Sequence, residues 1–185
     1  METKELQAEL ERRAALDQEA RSAVDGWSED PRTELWDVVN KVDADNTRWL
    51  LKFVTEHGWP RMSDVGEEAA TNTWLLAQHA DSRPEDQLLF HRLMAAAVEA
   101  GEAPPRLFAY LEDRVRTNAG QPQLYGTQFI DRGEGLEVQP IEDPEGLAAR
   151  RLAMGMEPFE ENEARLRAIW KHDSEPAPAQ PPSSS

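Results

Sequence analysis

The sequence has no cysteine, which removes a disulfide framework, a thiolate nucleophile and any Cys-based zinc site from consideration. It has no apolar run of membrane-spanning length, and METKELQAELERRAALDQEA lacks the short apolar core of a signal peptide. Also missing are a Gly-rich phosphate loop with Lys, a dinucleotide fingerprint, H-E-x-x-H and G-x-S-x-G. Positive charge is scarce: 36 acidic residues face 20 basic ones, for a formal net charge of −16. Such a chain repels a nucleic-acid backbone and an anionic membrane surface, so neither is expected as a partner. Only 4 of the basic residues are Lys and 16 are Arg; with an Ala-rich composition, this bias suggests a GC-rich bacterial source and carries no mechanism. A cytoplasmic protein is the resulting expectation.

What is present suffices for one core. The 185 residues are 39% hydrophobic and include 6 Trp and 5 Phe, and a domain usually holds about 100–200 residues. Leu6, Leu10, Ala14, Ala20 and Val24 recur at helical spacing, so residues 3–24 read as an amphipathic helix, with 1–26 as an accessory element. Pro31 opens a second stripe through Leu35, Trp36, Val39 and Val42. The oxygen-bearing Asp43, Asp45, Asn46 and Thr47 read as a break and a new helix start, followed by Trp49, Leu50, Phe53 and Val54 and closed by Gly58 and Pro60. Asp43 and Asp45 have calcium-loop spacing, but Arg48 stands where the loop needs Gly and Val54 where it needs Glu, so calcium is rejected. Further helices are expected over 65–79, from Pro84 to about Gly101, and from Pro104-Pro105 to before Gly120.

Alternation in 124–130 and 136–141 around a Gly-rich turn predicts a short hairpin, with small helices over 144–155 and 158–171. Residues 173–185 have no apolar anchor and read as a disordered Pro/Ser tail. The fold class is therefore mainly α: a compact bundle of about six to seven helices in a single domain over 31–171, with a β-hairpin near 124–141.

Polar residues gather at three places. Gln78, His79 and Asp81 end one helix: His79 can act as a general base oriented by a carboxylate, or simply complement the helix dipole while Asp81 caps. Gln87 and His91 lie four apart on one face, able to line a pocket or to satisfy a core hydrogen bond. With His79, Asp81 and His91 only nitrogen and oxygen donors are available, and no recognised ligand spacing supports a metal. Arg114, beside Asp113, is either a clamp for a substrate carboxylate or a partner in an internal ion pair with Asp113 or Asp81. Gln123, Tyr125, Thr127 and Gln128 surround Gly126 and can bind a polar ligand or satisfy their own turn.

These same residues carry a resemblance. Leu75-Leu-Ala-Gln78-His79-Ala-Asp81 with Gln87, Tyr110-Leu-Glu-Asp113-Arg114, and Gly120-x-x-Gln123-x-Tyr125-Gly126-Thr127-Gln128 resemble the bacterial domain-of-unknown-function family DUF6624 over roughly residues 40–170. His91, the first helix and the tail fall outside the resembling pattern. The family has no activity to carry over, but recurrence of three polar groups implies one converging pocket rather than three unrelated caps. The expectation is a cofactor-free and metal-free acid/base enzyme acting on a small polar molecule or peptide by hydrolysis, elimination or cyclisation. His79, Asp81, Asp113 and Tyr125 are its candidate catalytic residues, and Gln78, Gln87, Arg114, Gln123, Thr127 and Gln128 its substrate-binding ones. The alternative is a non-catalytic ligand- or protein-binding module.

Overall fold

A computed structural model describes residues 2–22, 24, 34–131 and 135–174. The first stripe forms α1 (Thr3–Arg21), which buries Leu6, Leu10 and Ala14 against α2 (Glu34–His57) and α3 (Met62–Gln78). α3 has α1, α2, α4 (Pro84–Glu99) and α5 (Pro105–Asn118) as neighbours. Ala69, Ala70, Leu76 and Ala77 on α3 meet Phe90 and Met94 of α4 and Leu107 and Leu111 of α5 in one core. Small residues on α3 allow these helices to approach closely, and the larger side chains of its neighbours fill the space. Both α4 and α5 start on proline, where the missing amide would have no partner.

The expected break at Asp43–Thr47 is absent, because α2 runs through it without interruption. The oxygens read as caps have other work. Asp43 accepts from Arg21 and Asp45 and Asn46 accept from Arg13, all across to α1, while the Thr47 hydroxyl bonds the Asp43 carbonyl one turn back. Cross-helix guanidinium contacts thus take side chains that would otherwise stop a helix. The apolar positions from Val39 to Val54 keep one helical phase through the polar stretch.

The hairpin is shorter than its pattern suggests: β1 (Phe129–Asp131) pairs antiparallel with β2 (Leu136–Val138), Ile130 opposite Glu137. Residues 124–128 form a loop instead of strand, for a reason given below. A 3₁₀ turn at Pro144–Gly146 leads into α6 (Leu147–Ala153), and α7 (Phe159–Ser174) follows. α7 is tied to the hairpin by the Phe129–Phe159 stack (6.2 Å between centroids) and by Trp170 Nε1 donating to Asp131 at 2.9 Å. The architecture is mainly α with one small hairpin. The Pro31 helix start, the hairpin tip at 132–134 and the tail from 175 lie outside the described residues; the first two residues of the expected tail belong to α7. No helix among the described residues is long and apolar enough to cross a membrane.

Candidate functional site

α3 ends at Gln78, so His79 projects from the helix terminus toward α1 and α2. Its Nδ1 lies 2.8 Å from Asp17 Oδ1, a carboxylate with no exposed surface, while the imidazole keeps 15% of its side-chain surface open. Arg21, one turn beyond Asp17 on α1, places Nε 3.4 Å from His79 Nε2 and 3.8 Å from Asp17 Oδ2. The same guanidinium directs Nη2 to both oxygens of Asp43, at 3.0 and 2.9 Å. Its Nη1 is buried without a partner among the described residues, as is Oε1 of the adjacent Gln78. Burial works against the Asp17 charge, but the His79 hydrogen bond and charge, Arg21 and the Gln18 amide prevail and hold its carboxyl below the ordinary value. For Asp43 burial wins over Arg21, and its carboxyl lies above the ordinary value.

Asp17, Asp43 and His79 offer donor atoms within 4.8 Å of one another, the kind of grouping that can hold a metal ion. Arg21 is already among them as a resident cation, contacting all three. A divalent ion there would have to displace or repel a guanidinium, so the arrangement suits proton chemistry better than a metal.

A second group centres on Asp81. Arg114 grips its carboxylate through Nε at 3.1 and 3.2 Å and Nη2 at 2.5 Å, and Gln87 and Asn118 amides add bonds of 2.9 and 2.8 Å. Burial raises the Asp81 carboxyl, but Arg114 and the amides outweigh it and leave it below the ordinary value. Gln87 also donates to the Gln78 carbonyl at 3.1 Å, fastening the α3 terminus to α4, and Arg114 Nη1 reaches Gln128 at 3.3 Å. Arg114 also feels the charge of Asp43, which connects this group electrostatically to the one around His79.

The third group explains the missing strand. Asp113 is fully buried on α5 and accepts from the amides of Leu124 (2.7 Å), Tyr125 (3.0 Å) and Thr127 (3.0 Å) and from the Thr127 hydroxyl (2.9 Å). The loop wraps round this carboxylate, so its amides point inward where a ladder would have required alternation. Burial pushes the Asp113 carboxyl above its ordinary value despite these donors. Gln123 fixes the loop to the hairpin by donating to the Gln128 and Gln139 carbonyls at 3.1 and 2.8 Å and accepting from the Gln128 amide at 2.8 Å. The Tyr125 phenol makes no hydrogen bond among the described residues, and burial followed by Glu112 and Asp113 raises its pKa.

The structure thus joins Asp81, Gln87, Arg114 and Gln128 directly, attaches Thr127 and Asp113 through the Gln128–Thr127 bond (2.9 Å), and places His79 with a different set of partners. Neither Asp81 nor Asp113 orients the imidazole; Asp17 does. His91 pairs with Glu112 at 2.5 Å and lies against the Phe108 ring, tilted by 30° at 5.0 Å between centroids, in keeping with the internal one of its two readings. Sequence reasoning missed Asp17, Arg21 and Asp43. The available signal was the Asp17–Arg21 pair at i, i+4 on a helix otherwise read as accessory, and Asp43 was absorbed into a supposed cap.

The comparison with known families corrects that reading of α1. A model of a family of unknown function matches residues 3–171, so the first helix lies inside the shared region and not outside it. No curated protein and no solved structure matches the chain. With nearly the whole described fold inside the match, from the α1 residues that hold His79 to α7, the chain belongs to the family DUF6624.

Proposed function

We propose that this protein is a small-molecule enzyme that needs no organic cofactor and uses His79 as its acid/base group. The observation that carries the proposal is the buried Asp17 carboxylate 2.8 Å from His79 Nδ1. An ionised Asp17 keeps the shared proton on Nδ1, which leaves the Nε2 lone pair available and stabilises the imidazolium once that nitrogen takes up a proton. Arg21 Nε stands 3.4 Å from Nε2, a long contact that a substrate O–H or N–H can replace. The Arg21 guanidinium, with an unpartnered Nη1 but already paired with Asp17 and Asp43, then serves a neutral carbonyl of the substrate. Arg114 suits that task less well, since Asp81 and Gln128 already engage its nitrogens. Asp81, Gln87, Asp113, Gln123, Thr127 and Gln128 become positioning residues that hold the α3 terminus and the 123–128 loop.

The internal satisfaction of the Asp81 and Asp113 groups favours a second reading, a non-catalytic module that binds a polar ligand, peptide or protein. The two readings separate in one experiment. The protein is incubated with a panel of small polar metabolites, and consumption and product are followed by NMR. The enzyme reading expects turnover that falls about 10²–10⁴-fold in His79→Gln and in Asp17→Asn, with both variants folded. A ligand that raises the melting temperature of wild type without being converted supports the binding module instead.

A further inference from the structure

On the face carrying α6 and the start of α7, a cavity of about 410 Å³ is lined by Arg106, Tyr110, Arg151, Met156, Glu157 and Arg165. Its size falls in the range of small-molecule sites, roughly 300–1,000 Å³. Three guanidiniums against one carboxylate make this wall positive, in a chain whose formal charge is −16. Arg151 is the residue that most needs explaining. It is 1% exposed, and its Nε and Nη1 donate to the carbonyls of Glu157 (2.8 Å) and Tyr125 (2.6 Å), but Nη2 is buried with no acceptor among the described residues. A desolvated donor without a partner on a cation is costly, so an acceptor from outside the chain is the natural complement. Arg106 makes no hydrogen bond or ion pair among the described residues, although it stands in the first turn of α5 at the rim. Arg165 is held by Glu157 at 2.8 Å and by Asn162 at 2.7 Å, and burial has little hold on this pair: the Glu157 and Arg165 side chains are 39% and 49% exposed.

We infer that this cavity is a binding site for the oxyanion of a small molecule, a carboxylate or a phosphate, in which Arg106, Arg151 and Arg165 supply the charge and Glu157 occupies the place of the ligand when it is absent. Carboxylates and phosphates each present a pair of oxygens that match the paired donors of a guanidinium, and three such groups on separate elements, α5, α6 and α7, can surround one. Glu157 is the built-in competitor: its carboxylate holds Arg165, on the same cavity wall where Nη2 of Arg151 is buried without an acceptor among the described residues. Entry of the anion breaks the exposed Glu157–Arg165 pair and gives both Arg165 and Arg151 a shared acceptor. The site is independent of the acid/base reading of His79, whose named partners lie on α1 and α2.

Calorimetric titration with inorganic phosphate and, separately, with succinate tests this, with ionic strength held constant by sodium chloride. About millimolar affinity or tighter is expected for at least one of the two, which also tells phosphate from carboxylate. Arg165→Gln should weaken binding about tenfold or more, as should Arg106→Gln, and the double variant should abolish it; loss of one charge-assisted contact is of that order. Glu157→Gln should strengthen binding, since it removes the competitor. Arg12→Gln, on an α1 pair with Glu9 and not among the residues that line the cavity, should leave binding unchanged. The arginine side-chain Nε–H resonances locate the anion, because those of Arg151 and Arg165 should shift and that of Arg12 should not. The inference is overturned if neither anion binds wild type or Glu157→Gln, or if the Arg106→Gln/Arg165→Gln double variant binds as wild type does.

Discussion

Asp113 puts the strongest constraint on a single side chain, because a carboxylate with no exposed surface collects three backbone amides and a hydroxyl from one loop. Asn is nearly the same shape but turns one of the two acceptor oxygens into a donor facing N–H groups. At least one buried amide then loses its partner, and Asp113→Asn should cost about 1–3 kcal/mol. A urea titration that moves the midpoint without changing the slope would agree; an unmoved midpoint would mean the loop holds itself. At this scale the sequence pointed to polar residues that the structure ties into hydrogen-bond networks, and was a poor guide to whom they touch. His79, Asp81, Arg114 and the 123–128 segment were all legible as unusual polar residues beside helix ends. The partner of His79 was not, because Asp17 lies 62 positions away, and local reasoning offered Asp81, two positions away, in its place. Gly126 was legible for a physical reason: it sits at φ 67°, and a Cβ there would come within 2.8 Å of the Phe159 ring.

Among the elements, α1 and α2 show how cross-helix contacts override local preference. Arg13 is 8% exposed and donates to Glu9 (2.7 Å), Asp45 (2.9 Å) and Asn46 (3.0 Å), with its guanidinium 4.7 Å over the Trp49 ring. Asp, Asn and Thr in sequence read as a helix start because their oxygens compete for free amides. Here three of those oxygens have arginines of α1 as donors, and nothing in the local pattern announces it. The helix content, the Pro84 and Pro105 starts and the core positions of α3 to α5 were legible, since each follows from spacing or from proline chemistry. Arg13→Ala removes the clamp and strips the Trp49 face, and should cost about 1.5–3 kcal/mol, typical of lost hydrogen bonds to a charged group. Thermal unfolding would read this. Arg12→Ala on the neighbouring, largely exposed pair should change stability by less than about 1 kcal/mol; equal effects at the two positions would contradict a docking role for Arg13.

For the whole molecule the balance of buried and half-buried carboxylates sets the response to acid. Asp17 and Asp81 are held below the ordinary Asp value of 3.8, through His79 and Arg114 against the pull of burial. A depressed folded-state pKa gives stability that is complete above the unfolded value and is lost as pH falls through the folded one, so these two support the fold until pH drops below about 3.8. Asp43 and Asp113 go the other way, raised by burial. For them the folded state binds its proton more tightly than the unfolded chain, so their contribution is largest in acid and shrinks as pH rises from 3.8 through the folded value. Self-repulsion acts in the same direction, because a net charge of −16 at pH 7 is relieved as carboxylates are neutralised. Stability should therefore rise as pH is lowered from 7 into the weakly acid range, pass through a maximum above 3.8, and fall steeply below it. A melting-temperature series from pH 3 to 7.5 at constant ionic strength reads the curve. Asp17→Asn, which cannot lose its proton, should flatten the acid limb, and Asp113→Asn should flatten the rise on the other side. A melting temperature that falls monotonically from pH 7 to pH 4 would show that neither Asp43, Asp113 nor the net charge governs the fold in that window.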